Sequence, residues 1–218
     1  MRSEILTEIS TGAAPVRGSL YRAQEAAPDF LVLTHGASGN SKAALLVAIA
    51  EALSQDGINV LLCDLPYRQR KPSGPPSPGD AKQDQQGLRH AVILMKERFA
   101  GRAFLGGSSY GGRQASMLAA AEPELVEGLL LLSYPLHPPA KPQQLRTQHF
   151  PALKTASLFV SGTRDAFGTI DELRAAIKLI PAKTKLVAIE GATHGLNDKK
   201  RQQEFTEAIT NAFREFLL

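Results

Sequence analysis

The stretch 104-FLGGSSYGGR-113 sets four glycines and two serines between an apolar run and a segment rich in small residues. Glycine loses more conformational freedom on folding than any other residue, so such a cluster needs a backbone reason. Gly107-Ser108-Ser109-Tyr110-Gly111 fits the pattern G-x-S-x-G at a strand-to-helix junction. There the chain reverses so sharply that residues two before and two after the central serine approach each other, and side chains would clash. The reading lifts Ser109 above the carboxyl edge of a sheet, where α/β folds place their sites. Ser108 lacks the second glycine, because Tyr110 stands in its place.

The flanking sequence supplies that sheet. "FLVLTHG" (30–36), "INVLLCDL" (58–65), "RAFLGG" (102–107), "LVEGLLLLSYPL" (125–136), "ASLFVSG" (156–162) and "TKLVAIEG" (184–191) are short, nearly continuous apolar runs. This is the pattern of strands buried on both faces. Helical stretches separate most of them. Asn40 or Ser41 is placed to cap a helix that Gly57 stops; Asp80, with Gln83, starts another that runs to about Phe99; Thr169 and Glu172 form a capping box; and a last helix begins near Asn197. In that last helix Phe205, Ala208, Ile209, Ala212, Phe213 and Phe216 recur at helical spacing as a core-facing stripe. At the amino end, "SEILTEIS" and "VRGSLYRAQ" flank "TGAAP" and read as an antiparallel hairpin. The proline-rich stretch 66-PYRQRKPSGPPSPG-79 reads as an irregular surface loop. The expected fold is therefore α/β: one domain over residues 1–218, with a mostly parallel sheet covered by helices on both faces.

Composition narrows the function classes. The formal net charge is only +4, with no basic block to favour nucleic acid. The amino terminus lacks the apolar core of a signal peptide, and no stretch approaches the about 18 apolar residues of a membrane span. The expectation is a cytoplasmic protein, a monomer or homodimer, acting on a small molecule. The single cysteine, Cys63, excludes an intrachain disulfide and a multi-cysteine zinc site, and its apolar setting reads as a packed, inert thiol. Nothing calls for a cofactor or a metal.

A serine hydroxyl is a weak nucleophile unless a base takes its proton. In this fold the partners follow in the order serine, acid, histidine, each after a later strand. Asp165 follows "LFVSG" and His194 follows the final strand, so Ser109, Asp165 and His194 are the candidate catalytic residues. The backbone N–H groups of Tyr110 and of Ala37, in "HGASGN", are the candidate oxyanion donors. Tyr67 and His137 are candidate substrate contacts, and "YRQRK" (67–71) reads as a surface cluster able to attract an anion. His35 precedes a turn in which the backbone matters more than the ring; His90 lies in a helix; His149 reads as solvated or structural. The stretch between Ser109 and Asp165 must hold a helix, two strands and a proline-rich connection, which leaves no room for a large helical lid.

With these residues in place the chain resembles the α/β-hydrolases of the dienelactone-hydrolase-like kind. It is similar above all to the small bacterial hydrolases grouped with the testis-expressed-thirty proteins and a nonspecific-lethal complex subunit. "LTHGASGN", "LPYRQR", "GGSSYGGR", "LSYPLHPPAKPQQLRTQHF", "VSGTRDAFG" and "GATHGL" carry the resemblance in order from about Phe30 to Leu196. It implies the same three catalytic residues. Relatives often have Lys-Ser-Met where this chain has Ser108-Ser109-Tyr110, and dienelactone hydrolases use a cysteine where this chain has Ser109. The leading expectation is a serine hydrolase of small carboxylic esters or thioesters. The same machinery also serves peptidases and acyltransferases. The alternative from another class is a catalytically silent interaction module that presents the proline-rich loop.

Overall fold

In the computed structural model, which describes residues 3–8, 15–25 and 27–218, eight strands form one sheet. They are β1 (Ser3–Glu8), β2 (Val16–Tyr21), β3 (Phe30–Thr34), β4 (Asn59–Cys63), β5 (Ala103–Ser108), β6 (Gly128–Leu132), β7 (Ala156–Gly162) and β8 (Thr184–Ile189). The spatial order is β1-β2-β4-β3-β5-β6-β7-β8. β1 and β2 pair as the expected antiparallel hairpin, with residues 9–14 of its connection outside the described residues, and β2 runs antiparallel to β4. From β4 through β8 every pairing is parallel. The helices are α1 (Ala44–Gln55), α2 (Pro66–Arg70), α3 (Asp80–Arg98), α4 (Tyr110–Ala121), α5 (Ile170–Ala176) and α6 (Gln202–Leu217).

Alternation along each strand builds two cores. Phe30 and Val32 of β3, with Leu129 and Leu131 of β6, pack beneath α3 and α4 together with Leu88, Val92, Met95 and Leu118. Leu31, Leu33, Leu130 and Leu132 point the other way, against Leu46, Ile49 and Leu53 of α1 and Phe205, Ile209 and Phe213 of α6. Both faces are covered, which is why these strands read as unbroken apolar runs. Ala208 and Phe216 of the carboxy-terminal stripe lie partly buried at the margin of the second core. Cys63 is buried, and burial pushes its thiol up to about 12, so it stays protonated and inert.

Four local readings are corrected. α1 begins at Ala44, not at a cap on Asn40 or Ser41, because the Asn40 carboxamide accepts from the Lys42 N–H and closes its own turn first. Asp80 is the first residue of α3 rather than a cap with Gln83; its carboxylate accepts from the Ser77 N–H (2.6 Å) and from Arg70 (2.8 Å). The start of the proline-rich stretch is regular after all. Pro66 sits at the first position of α2, where a helix has no use for its missing N–H. α6 starts at Gln202, after a 3-10 turn over Lys199–Arg201 that Asp198 caps.

Between β6 and β7 the only helical element is the 3-10 turn Phe150–Ala152, so no helical lid covers the carboxyl edge of the sheet. Among the described residues no helix is long and apolar enough to cross a membrane.

Candidate active site

Ser109 sits between β5 and α4 at φ 49°, ψ −114°, a conformation that costs a non-glycine residue free energy. The surroundings enforce it. A β-carbon on Gly107 would lie 2.6 Å from the Gly111 carbonyl carbon, the close approach expected at the elbow. Gly111 is required for a further reason: its own β-carbon would stand 2.4 Å from the His35 carbonyl oxygen, so the elbow presses directly on the turn after β3. The Ser109 N–H donates to the Leu132 carbonyl (2.8 Å), tying the turn to the end of β6.

The three candidate residues come together at the carboxyl edge. Ser109 Oγ lies 2.8 Å from His194 Nε2, and His194 Nδ1 lies 2.8 Å and 2.9 Å from the two carboxylate oxygens of Asp165. The Asp165 side chain is wholly buried, and its Oδ1 also accepts from the Phe167 N–H (2.8 Å). The Phe167 ring stacks on His194 at 4.0 Å between centroids, which limits rotation of the imidazole. The acid and histidine turns are stitched to each other: the Arg164 N–H donates to the Ala192 carbonyl (2.9 Å) and the Gly191 N–H to Thr163 Oγ1 (2.8 Å). Ser133, at φ 47° just past β6, accepts the Gly195 N–H (3.1 Å) and so anchors the residue after His194. Nothing in the sequence marks Ser133, since its role depends on two turns that meet only in the fold.

The other candidates divide. Ala37 and Tyr110 line the same cleft as Ser109 and His194, a depression of about 520 Å³. Tyr67 and His137 do not line it. Tyr67 is 1% exposed, and its hydroxyl donates to the carbonyls of Ala37 (2.8 Å) and Gly36 (3.2 Å). It props the turn that carries the candidate oxyanion donor from behind. His137 is 5% exposed; its N–H donates to the Phe167 carbonyl (3.0 Å) and its ring nitrogens face Pro138 and Glu172. Both are aromatic groups, Tyr67 on α2 and His137 on the connection after β6, and the apolar body of each is better buried than wet.

The "YRQRK" cluster is likewise not an anion-attracting surface. Arg68 is buried and spends its guanidinium on the carbonyls of Gly39, Lys71, Ala37 and Gly74. Arg70 pairs with Asp80.

Two residues missed in the sequence complete the support. The His35 ring, and not only its backbone, is structural. Nδ1 donates to the Gly36 carbonyl (2.8 Å) while Nε2 accepts from the Leu65 N–H (3.1 Å). That arrangement needs a neutral imidazole, and burial lowers the His35 pKa accordingly. Asp84 of α3 is buried and accepts from the Tyr67 N–H (3.0 Å) and the Tyr110 hydroxyl (2.8 Å); burial raises its pKa. The Tyr67 ring meets those of His35 and Tyr110 edge-on, with centroids 5.8 Å apart in both contacts. Tyr110 is thereby tied to α3 through its hydroxyl while the residue still lines the cleft.

The arrangement of Ser109, His194 and Asp165 can deprotonate an alcohol and hold the resulting imidazolium against a buried carboxylate. Comparison with known proteins agrees with the fold. The chain is similar to a dienelactone hydrolase from Anabaena variabilis (TM-score 0.79, 20% identity, 100% of this chain and 99% of that one). It is also similar to Est1E from Butyrivibrio proteoclasticus (0.76, 18%, 97% and 98%). A third similar structure is XC6422 from Xanthomonas campestris, described as a member of the α/β serine hydrolases without lid (0.73, 15%, 99% and 95%). A sequence model of the alpha/beta hydrolase domain matches residues 27–217, and the chain belongs to that family.

Proposed function

We propose that this α/β-hydrolase is a serine hydrolase that cleaves a small carboxylic ester or thioester through an acyl-enzyme on Ser109. The observation that carries the reading is the unbroken row Ser109 Oγ, His194 Nε2, His194 Nδ1, Asp165, with 2.8 Å at each contact, opening on a cleft. His194 takes the hydroxyl proton as Ser109 attacks the carbonyl carbon, and Asp165 stabilises the imidazolium. The amides of Ala37 and Tyr110 receive the oxyanion. His194 then returns the proton to the departing alcohol or thiol, and water repeats the sequence to release the acid. The open edge without a helical lid suits a small or exposed acyl group rather than a long buried chain. The narrower kinship, with the small bacterial hydrolases grouped with testis-expressed-thirty proteins, rests on the segments quoted above.

The test is labelling with a fluorophosphonate, followed by intact mass, on the wild type and on Ser109→Ala. A stoichiometric adduct on the wild type and none on the variant supports the proposal. An unlabelled wild type, folded by circular dichroism, refutes it in favour of a silent module.

A further inference from the structure

The cleft holds two cations that the mechanism does not use. Arg113 lies one turn along α4 from Ser109, its N–H donating to the Ser109 carbonyl (3.0 Å), and its side chain lines the cleft. Arg146, from the connection between β6 and β7, lines it too. No carboxylate lies on the walls, among the described residues. By contrast Arg70, Arg89, Arg102 and Arg214 each close an ion pair with an aspartate or glutamate. Arg113 instead has a buried Nε with no hydrogen-bond partner, and Arg146 has one contact from its guanidinium, to the Pro135 carbonyl at 3.2 Å.

The two charges also feel each other. Burial first, and then Arg113, lower the pKa of Arg146. The same causes in the same order bring His149 down to about 4, so it stays a neutral neighbour with Nε2 2.8 Å from Ser116 Oγ. Two like charges on one cleft with no acid between them repel, and an anion entering the cleft would offset that repulsion. The fixed planar fork of arginine suits the two oxygens of an anionic group.

We propose that Arg113 and Arg146 form an anion subsite, so that the ester cleaved at Ser109 carries a second, negatively charged oxygen group. This rests on the hydrolase reading and specifies its substrate class. The charged group compensates the two guanidinium groups only in the bound state, and selectivity arises because a neutral ester leaves them uncompensated.

The experiment uses the full chain and three esters, with carboxylate as the probe anion. Ethyl hexanoate is neutral, monoethyl adipate carries the charge on the acyl part, and O-hexanoyl glycolate carries it on the alcohol part. The expected result is a kcat/KM for at least one charged ester about tenfold or more above the neutral one, with the preferred arm showing which half of the substrate faces the arginines. That ratio should fall toward one in Arg113→Gln and in Arg146→Gln, each checked for folding by thermal melt. Arg146→Lys should keep part of it. Arg113 gives its side chain to no protein acceptor, so its variant keeps the test valid if Arg146→Gln fails to fold. A labelled, ester-cleaving wild type with no preference for either charged ester, or a preference that survives both variants, overturns the subsite and leaves the hydrolase standing. An unlabelled wild type overturns both.

Discussion

Asp165 is buried with its carboxylate shared between the His194 ring and the Phe167 amide, so it orients the imidazole. In Asp165→Asn the ring loses its ionic partner and the favoured tautomer reverses. Ester turnover is expected to fall about 10⁴-fold with little change in KM, measured by steady-state kinetics beside a thermal melt. Tyr67 tests the opposite case, a residue that acts without touching substrate. Tyr67→Phe keeps the ring between His35 and Tyr110 and removes only the donor to the Gly36 and Ala37 carbonyls. Loosening the turn that bears the Ala37 amide should lower kcat by roughly tenfold or more while KM for a short ester holds. A variant with unchanged kcat would show that Arg68, which donates to the same Ala37 carbonyl, holds the turn unaided.

At the level of elements, the site is a set of strand ends held in register. Thr34 of β3 pairs with Gly107 of β5, so the turn after β3 and the turn at Ser109 emerge side by side. Gly111 is the point of contact. Gly111→Ala would drive a methyl group into the His35 carbonyl and the Thr34 side chain, at 2.4 Å and 2.7 Å. A loss of about 1–3 kcal/mol in urea unfolding is expected, together with loss of activity, because neither neighbour is a flexible tip. α5 offers a contrast outside the cleft lining. Thr169 and Glu172 close a reciprocal cap, so Thr169→Ala should cost about 1 kcal/mol in the same assay and leave kcat alone.

Over the whole molecule, neutral histidines partly or wholly withdrawn from water make stability depend on pH. His149 titrates near 6.5 when unfolded and at about 4 when folded, because burial and Arg113 disfavour its charge. Between those values the unfolded chain holds a proton that the folded one lacks, so stability falls as pH drops from about 6.5 to 4. His149→Gln should flatten the melting temperature against pH across that window, while the lowered pKa of His35 keeps a remaining slope of the same sign. Much of this molecule was legible in its residue pattern. Apolar runs with turn signals announced the parallel sheet, because a strand covered on both faces has no polar side to show. G-x-S-x-G with a later aspartate and histidine announced the row of three, because each must stand at a strand's carboxyl end. What local pattern could not carry was direction and partnership. Whether Tyr67 and His137 face the cleft or its supports, that Arg68 is consumed by backbone carbonyls, and that Arg113 and Arg146 share the cleft of Ser109 without an acid are all matters of contact between segments distant in the chain. Local sequence sets the shape of each element and the chemistry it carries. Which groups end buried, paired or left open to a ligand is decided only when those elements pack.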